Sequence, residues 1–259
     1  MEHLEELRWH LVRSLTAVVL IAIIVFASKP VVLAIVFGPT RPNFITYEIL
    51  CNVLKQFMDN PTCLRPTNIT FITPNFGEKF ITYLKLSIIL GIVASFPYIF
   101  WEFWRFISPG LYDKERKAAK GVVFICSFLF ILGVLFGYFV LSPFAVTFLT
   151  GFEIEDIKEA TPSFSSYINY LTMFTVPLGL VFEMPVLVYF LSKIGLLTPE
   201  FMRTYRRHAI VVILILAAVI TPPDVVTQFL VGIPLFILYE ISIFVSKRVV
   251  DKAAKEEND

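Results

Sequence analysis

Four long runs of nearly uninterrupted apolar residues limit what this chain can fold into. They cover residues 14–37, 80–100, 121–141 and 167–191. A backbone inside lipid must satisfy its own hydrogen bonds, and a helix of about 20 apolar residues crosses a bilayer. The composition agrees, since 57% of the residues are hydrophobic, 17% are charged and the mean hydropathy is +0.76. We therefore predict an all-α integral membrane protein.

Two shorter apolar segments follow, separated by the turn residues 222–224. As helices, residues 209–221 measure about 20 Å and residues 225–239 about 22 Å, against a hydrocarbon core of about 30 Å. The pair is either a re-entrant hairpin or two short crossing helices that thin the bilayer. Counted as crossing, they predict six transmembrane helices, of which the last two are short.

The basic residues predict the orientation of these helices. If six helices cross in alternation, 15 of the 22 Lys and Arg residues lie on the side that holds both termini. Cytoplasmic segments of membrane proteins carry an excess of Lys and Arg, so both termini are predicted to be cytoplasmic. The predicted organisation is one membrane domain over 1–250, with an outer cap loop at 38–79, a cytoplasmic loop at 101–120 and a disordered tail at 251–259.

The three cysteines divide between the cap and a membrane run. Cys51 and Cys63 both fall in the predicted cap, where an oxidising environment would allow a disulfide that stabilises the cap by about 3 kcal/mol. Cys126 lies in an apolar run and is expected to pack as a small hydrophobe. That same run holds Gly133 and Gly137, a spacing that favours close helix packing, either within the chain or between subunits.

Two acids near the predicted cytoplasmic surface lack cations on their own helices. Glu6 has no Lys or Arg three or four residues away, and Glu115 has none either if its segment is helical. A partner bearing arginines would match both, because guanidinium and carboxylate groups pair bidentately. The alternative is that each acid pairs with a cation elsewhere in the fold.

Glu183 lies deep within an apolar run, between Pro177 and Pro185. A carboxylate there costs at least a few kcal/mol unless it is protonated or paired, which makes it a candidate functional residue. The alternative is a protonated carboxyl bonded to a backbone carbonyl that the Pro185 ring leaves free.

Common catalytic and nucleotide-binding motifs are absent from the sequence. The sequence contains no G-x-x-x-x-G-K-[ST], H-E-x-x-H or G-x-S-x-G motif, and we expect no catalytic residue, metal, cofactor or nucleic-acid partner. An intramembrane enzyme would need a nucleophile and base pair that is not apparent. A proton-coupled small-solute carrier with Glu183 as its relay stays open, although no inverted repeat is apparent and only one acid lies deep.

Four segments together resemble the TatC family, the multispanning receptor subunit of the twin-arginine protein translocase. They are HLEELRWHL, FPYIFWEFWRFISPGLYDKE, GLVFEMPVLVYF and TPPDVVTQFLVGIPLFILYEIS, and the resemblance covers nearly the whole chain. It implies a protein of the bacterial inner membrane that binds twin-arginine signal peptides of folded proteins at the cytoplasmic face. It further implies export driven by the proton-motive force, TatA- and TatB-like single-span partners and a hetero-oligomer with several copies of this chain in membrane lipid.

The family pattern also assigns residues. It places signal-peptide binding on two acids, a cation and an aromatic: Glu6, Glu115, Arg8 and Phe106. It places intramembrane polar and partner contacts on Glu183, Thr221 and Gln228. Two features depart from the pattern: the first outer loop is longer and holds the Cys51 and Cys63 pair, and Glu102 stands where a neutral Gln is commoner, which adds a negative charge at the predicted binding surface.

Overall fold

Helices make up most of the chain. A computed structural model describes residues 2–57, 66, 69–107, 119–151, 161–221 and 225–258. Within these ranges the β-type pairing is a single bridge between Ile72 and Ser163, which ties the end of the cap to the start of a helix. The predicted all-α class is therefore confirmed for the part of the chain that the structure describes.

The described residues form the following helices. In chain order they are α1 (Glu2–Ala27), α2 (Lys29–Val36), α3 (Ile45–Phe57), α4 (Glu78–Ile107), α5 (Ala119–Phe136), α6 (Ser142–Gly151), α7 (Phe164–Val181), α8 (Met184–Lys193), α9 (Pro199–Thr204), α10 (Arg206–Ile220) and α11 (Val225–Asn258). A 3-10 turn, Gly38–Thr40, precedes α3, and a π-helical stretch, Gly137–Leu141, joins α5 to α6.

Five helical segments in the described chain are long and apolar enough to cross a membrane. They are Glu5–Ala27, Glu78–Phe106, Gly121–Gly151, Phe164–Lys193 and Val226–Lys252. α10, with 15 residues, measures about 22 Å, which is shorter than the hydrocarbon core of about 30 Å. The prediction that this helix is short is confirmed.

The prediction that the last helix is also short is wrong. α11 has 34 residues, and its apolar segment of 27 residues, Val226–Lys252, continues past Glu240, the predicted end of the span. The Glu240 carboxylate accepts a hydrogen bond from Arg206 at the start of α10, at 2.7 Å. Because the charge is paired with the neighbouring helix, it does not interrupt α11.

Other helices also extend beyond their predicted ends. α4 continues to Ile107, so the first part of the predicted loop 101–120 is helical. The helix after the third apolar run continues through the π-helical stretch to Gly151, and α11 continues to Asn258 through the predicted disordered tail. Ala, Lys and Glu in residues 253–257 favour helix, which accounts for this extension.

α1 and α4 pack side by side along their lengths. The helices approach closely at Gly91, which has no side chain: a Cβ added there would lie only 2.9 Å from the Ala22 Cβ. Toward the end of α1, the Tyr83 hydroxyl lies 3.0 Å from the Val25 carbonyl oxygen. α1 ends there, and α2 begins with Pro30 in its first turn.

The glycine pair on the third span packs inside the chain. A Cβ on Gly133 would lie 2.8 Å from the Gly179 Cα, and one on Gly137 would lie 2.5 Å from the Phe174 carbonyl oxygen. Both glycines therefore let the backbone of this span contact the backbone of α7. The structure supports the intramolecular alternative for this motif over a subunit contact.

The described part of the cap contains a helix that packs on the membrane helices. α3 lies within it, and the buried hydroxyl of Tyr47 lies 2.8 Å from the Pro39 carbonyl oxygen and 3.1 Å from that of Pro143, which fastens α3 to α6. Burial raises the pKa of Tyr47, so this hydroxyl remains a donor. Cys51 is disulfide-bonded and Cys126 is free, as expected, whereas Cys63 lies outside the described residues.

Candidate functional site

The N-terminal end of α1 meets the C-terminal end of α4 at a buried carboxylate. The Glu102 side chain is 2% exposed, and its Oε2 accepts a hydrogen bond from His10 Nδ1 at 2.5 Å. Its Oε1 accepts a second bond from the Tyr98 hydroxyl at 3.0 Å, and Arg13 interacts with it electrostatically. Both oxygens are therefore satisfied, as a buried carboxylate requires.

Aromatic and cationic side chains surround this bridge at the surface. Trp9 and Trp101 are about half exposed, and each lies beneath an arginine: Arg8 at 5.9 Å and Arg105 at 6.0 Å from the ring centroid. Amphipathic aromatic rings beside cations are typical of the boundary between lipid and water. The junction therefore has the composition of a membrane surface.

The structure brings several sequence-predicted site residues to this junction. Glu6 is exposed on α1, one turn before His10. Arg8 is exposed and lies 3.7 Å from Glu5, and the half-buried Phe106 packs edge-on against the His10 ring with 6.1 Å between ring centroids. Glu6 takes part in an interaction in this structure, and the alternative that it pairs within the fold stays open. Glu115 lies outside the described residues.

Sequence reasoning missed the pair between His10 and Glu102. It treated Glu102 as an added surface charge, whereas the structure buries this residue and pairs it with α1. The residues are 92 positions apart, and no local spacing rule connects them. The available signal was that two successive spans each carry a polar ionisable residue near the same predicted surface.

Glu183 lies at the break between α7 and α8. α8 begins at Met184 with Pro185 in its first turn, so Glu183 is the residue immediately before this helix. Its side chain is 7% exposed, and neither carboxylate oxygen has a hydrogen-bond partner in the described chain. Cys126 and the backbone of Phe130 are its polar neighbours, but neither meets hydrogen-bond geometry. The alternative bond to a freed backbone carbonyl is absent among these residues.

Thr221 and Gln228 flank the turn between α10 and α11. The buried Thr221 hydroxyl donates to the Ala217 carbonyl at 2.9 Å, one turn back on its own helix. Gln228 donates from Nε2 to the Leu214 carbonyl at 3.2 Å, which joins the two helices. Gln228 therefore links the two helices, whereas the Thr221 bond lies within α10, and the half-buried Gln228 also reaches the surface.

Replacing Glu183 with leucine is expected to stabilise the protein. The substitution removes an unpartnered buried carboxyl, and we expect about 1–3 kcal/mol of added stability, seen as a higher Tm of the purified protein in detergent. Glu183→Gln, which keeps unpartnered polar atoms, is the matched control and should remain closer to wild type. A lower Tm for the leucine variant would show that the carboxyl has a structural partner.

Comparison with known proteins places this geometry in a family. The family model for TatC, the Sec-independent protein translocase protein, matches residues 2–234. The chain belongs to the TatC family. A relative from Blattabacterium sp. subsp. Periplaneta americana, named Sec-independent protein translocase protein TatC, is 40% identical over 97% of this chain and 96% of its own length. A relative of the same name from Desulforapulum autotrophicum is 38% identical over 100% of this chain and 86% of its own length.

Solved structures of this family share the fold. A crystal structure of the twin-arginine translocase receptor TatC in DDM matches with a TM-score of 0.73 and 33% identity, over 94% of this chain and 99% of that chain. A second crystal structure of the receptor matches with a TM-score of 0.69 and 34% identity, over 96% of this chain and 99% of that chain. Together with the apolar helices, these likenesses make this chain a TatC-type membrane component of bacterial protein translocation.

Proposed function

We propose that this chain is the receptor subunit of a twin-arginine translocase, which binds twin-arginine signal peptides of folded proteins at the cytoplasmic face for export driven by the proton-motive force. The likeness to solved twin-arginine translocase receptors over nearly the whole chain carries this proposal. Family membership favours it over the proton-coupled carrier.

The binding chemistry is charge-assisted pairing at the junction of α1 and α4. Glu6 is exposed there, and Glu115 follows α4 in the sequence. The two guanidinium groups of a signal peptide pair with these carboxylates, and Arg8 and Phe106 border the site. The apolar part of the signal then lies along lipid-facing surface, where α1 exposes large apolar side chains such as Leu11 and Leu15.

The proposed topology has six spans with both termini in the cytoplasm of a bacterial inner membrane. Five helical segments have the length to cross, and α10 supplies the sixth as a short span that thins the bilayer locally. The 15 of 22 basic residues on the side of the termini support this orientation. Six crossings also return the chain to the side on which it starts.

The proposed partners are TatA- and TatB-like single-span subunits in a hetero-oligomer with several copies of this chain. Glu183 supports a contact with such helices, because its buried carboxyl has both oxygens available at membrane depth among the described residues. Thr221 and Gln228 add polar groups at the hairpin of α10 and α11, where a short span leaves room for a partner helix.

Peptide binding by the full chain tests this function. In lipid nanodiscs, the protein is expected to bind a twin-arginine signal peptide at least about tenfold more tightly than the same peptide with two lysines, because lysine cannot pair bidentately. Fluorescence anisotropy with a labelled peptide measures both Kd values. Equal Kd values for the two peptides would contradict the proposal.

A further inference from the structure

The contact between His10 and Glu102 is a buried polar link between α1 and α4. It is short, at 2.5 Å, and both groups are largely removed from solvent, with side chains 17% and 2% exposed. The interface between these helices has a second polar tie about 22 Å away, where Tyr83 reaches the backbone of α1 near Val25. Between the two ties, α1 and α4 pack through apolar side chains and through the close approach of Gly91 to Ala22.

Helical spacing connects this link to the proposed binding residues. Glu6 lies four residues before His10, so both side chains lie along the same face of α1. Phe106 lies four residues after Glu102 on α4, and its ring contacts the His10 ring edge-on at 6.1 Å. The contact between His10 and Glu102 therefore sets how the face of α1 that carries Glu6 lies against the face of α4 that carries Phe106.

Glu102 has a second contact that fixes its direction. The Tyr98 hydroxyl donates to Oε1 at 3.0 Å, while Oε2 is left for His10. Tyr98 in turn packs against Trp101, with 5.7 Å between ring centroids. The carboxylate is thus aimed at α1 by its own helix, and a shift of α1 would leave a buried carboxylate oxygen without its partner, which is costly.

We propose that His10 and Glu102 are a positioning pair that sets the location of Glu6 for binding of the signal peptide. The inference rests on the proposed receptor function and adds two residues that hold the site without touching the ligand's arginines. Breaking the pair is expected to weaken peptide binding while leaving Glu6 and Phe106 unchanged in chemistry.

The central experiment combines Glu102→Leu with Glu6→Gln in the full chain in nanodiscs. We expect Glu102→Leu to raise the Kd of a twin-arginine signal peptide about tenfold. Glu6→Gln should raise the Kd in the wild-type background and have a much smaller effect in the Glu102→Leu background, because Glu6 is then no longer held in place. A general loss of stability would instead leave the two effects additive.

Two further variants keep the test independent of folding defects. Glu102→Gln retains an acceptor for His10 and a polar contact for Tyr98, and its Kd should stay within about threefold of wild type. His10→Phe keeps an aromatic ring against Phe106 but removes the donor, and it should reproduce the loss seen with Glu102→Leu.

The outcomes separate this inference from the proposed function. If the wild type distinguishes arginine from lysine signal peptides but Glu102→Leu and His10→Phe bind as tightly as wild type, or if the effects with Glu6→Gln are additive, the positioning role is wrong and the receptor function stands. If the wild type does not distinguish the two peptides, the receptor function fails and the inference fails with it.

Discussion

Lysine in place of Glu115 is expected to abolish photo-crosslinking of a twin-arginine signal peptide to this chain in membranes. The substitution removes a charge-assisted pair of about 1.5–3 kcal/mol and adds repulsion against the peptide's guanidinium groups. We expect at least about a 100-fold loss of affinity, which is about 2.7 kcal/mol. Crosslinking at the wild-type level would refute the role of Glu115.

The α1 helix provides a matched pair of variants for the same experiment. Glu5 and Glu6 are adjacent and both exposed, but Glu5 already lies 3.7 Å from Arg8 and points to a different side of the helix. Glu6→Lys is expected to lower crosslinking strongly, whereas Glu5→Lys should lower it little. Equal losses would indicate a general effect of positive charge at this surface rather than a site at Glu6.

Alanine in place of Gly137 is expected to destabilise the protein markedly. The new Cβ would lie 2.5 Å from the Phe174 carbonyl oxygen and 2.9 Å from the Thr175 Cα, both of which are backbone atoms of α7. Since a backbone cannot rotate aside as a side chain does, the helices must separate, at a cost of about 1–3 kcal/mol. Thermal or denaturant unfolding in detergent measures the change.

A control for this substitution lies near the start of α5, the helix that leads into the π-helical stretch. A Cβ on Gly121 would meet nothing within 4 Å, so Gly121→Ala should leave stability unchanged or raise it slightly through the better helix propensity of alanine. If both variants lose the same stability, an effect of alanine on the helix backbone, and not close packing, explains the loss at Gly137.

Local patterns in the sequence predicted much of the fold. The apolar runs predicted the long helices, and the glycine spacing predicted close packing of the third span. Each of these follows from the chemistry of neighbouring residues, because hydrogen-bond satisfaction in lipid and helical periodicity both act within a few turns.

Predictions failed where a polar residue met a partner from a distant helix. The sequence predicts that the last span ends before Glu240, but the pair with Arg206 lets α11 continue. The sequence also predicts that Glu102 adds a surface charge, but His10 pairs with it in the interior. The rotation of one helix against another decides whether such a residue faces lipid, water or a partner, and a single sequence does not contain that rotation.

The sequence by itself determined that this chain builds apolar helices, resembles the TatC family and carries Glu183 at membrane depth, because these properties depend on residue type and spacing. The tertiary structure alone decided that Glu102 is buried against His10, that Glu183 has no hydrogen-bond partner in the described chain and that Gly137 contacts the backbone of α7. The physical reason is that burial and pairing belong to contacts between helices, and such contacts form only when distant segments pack.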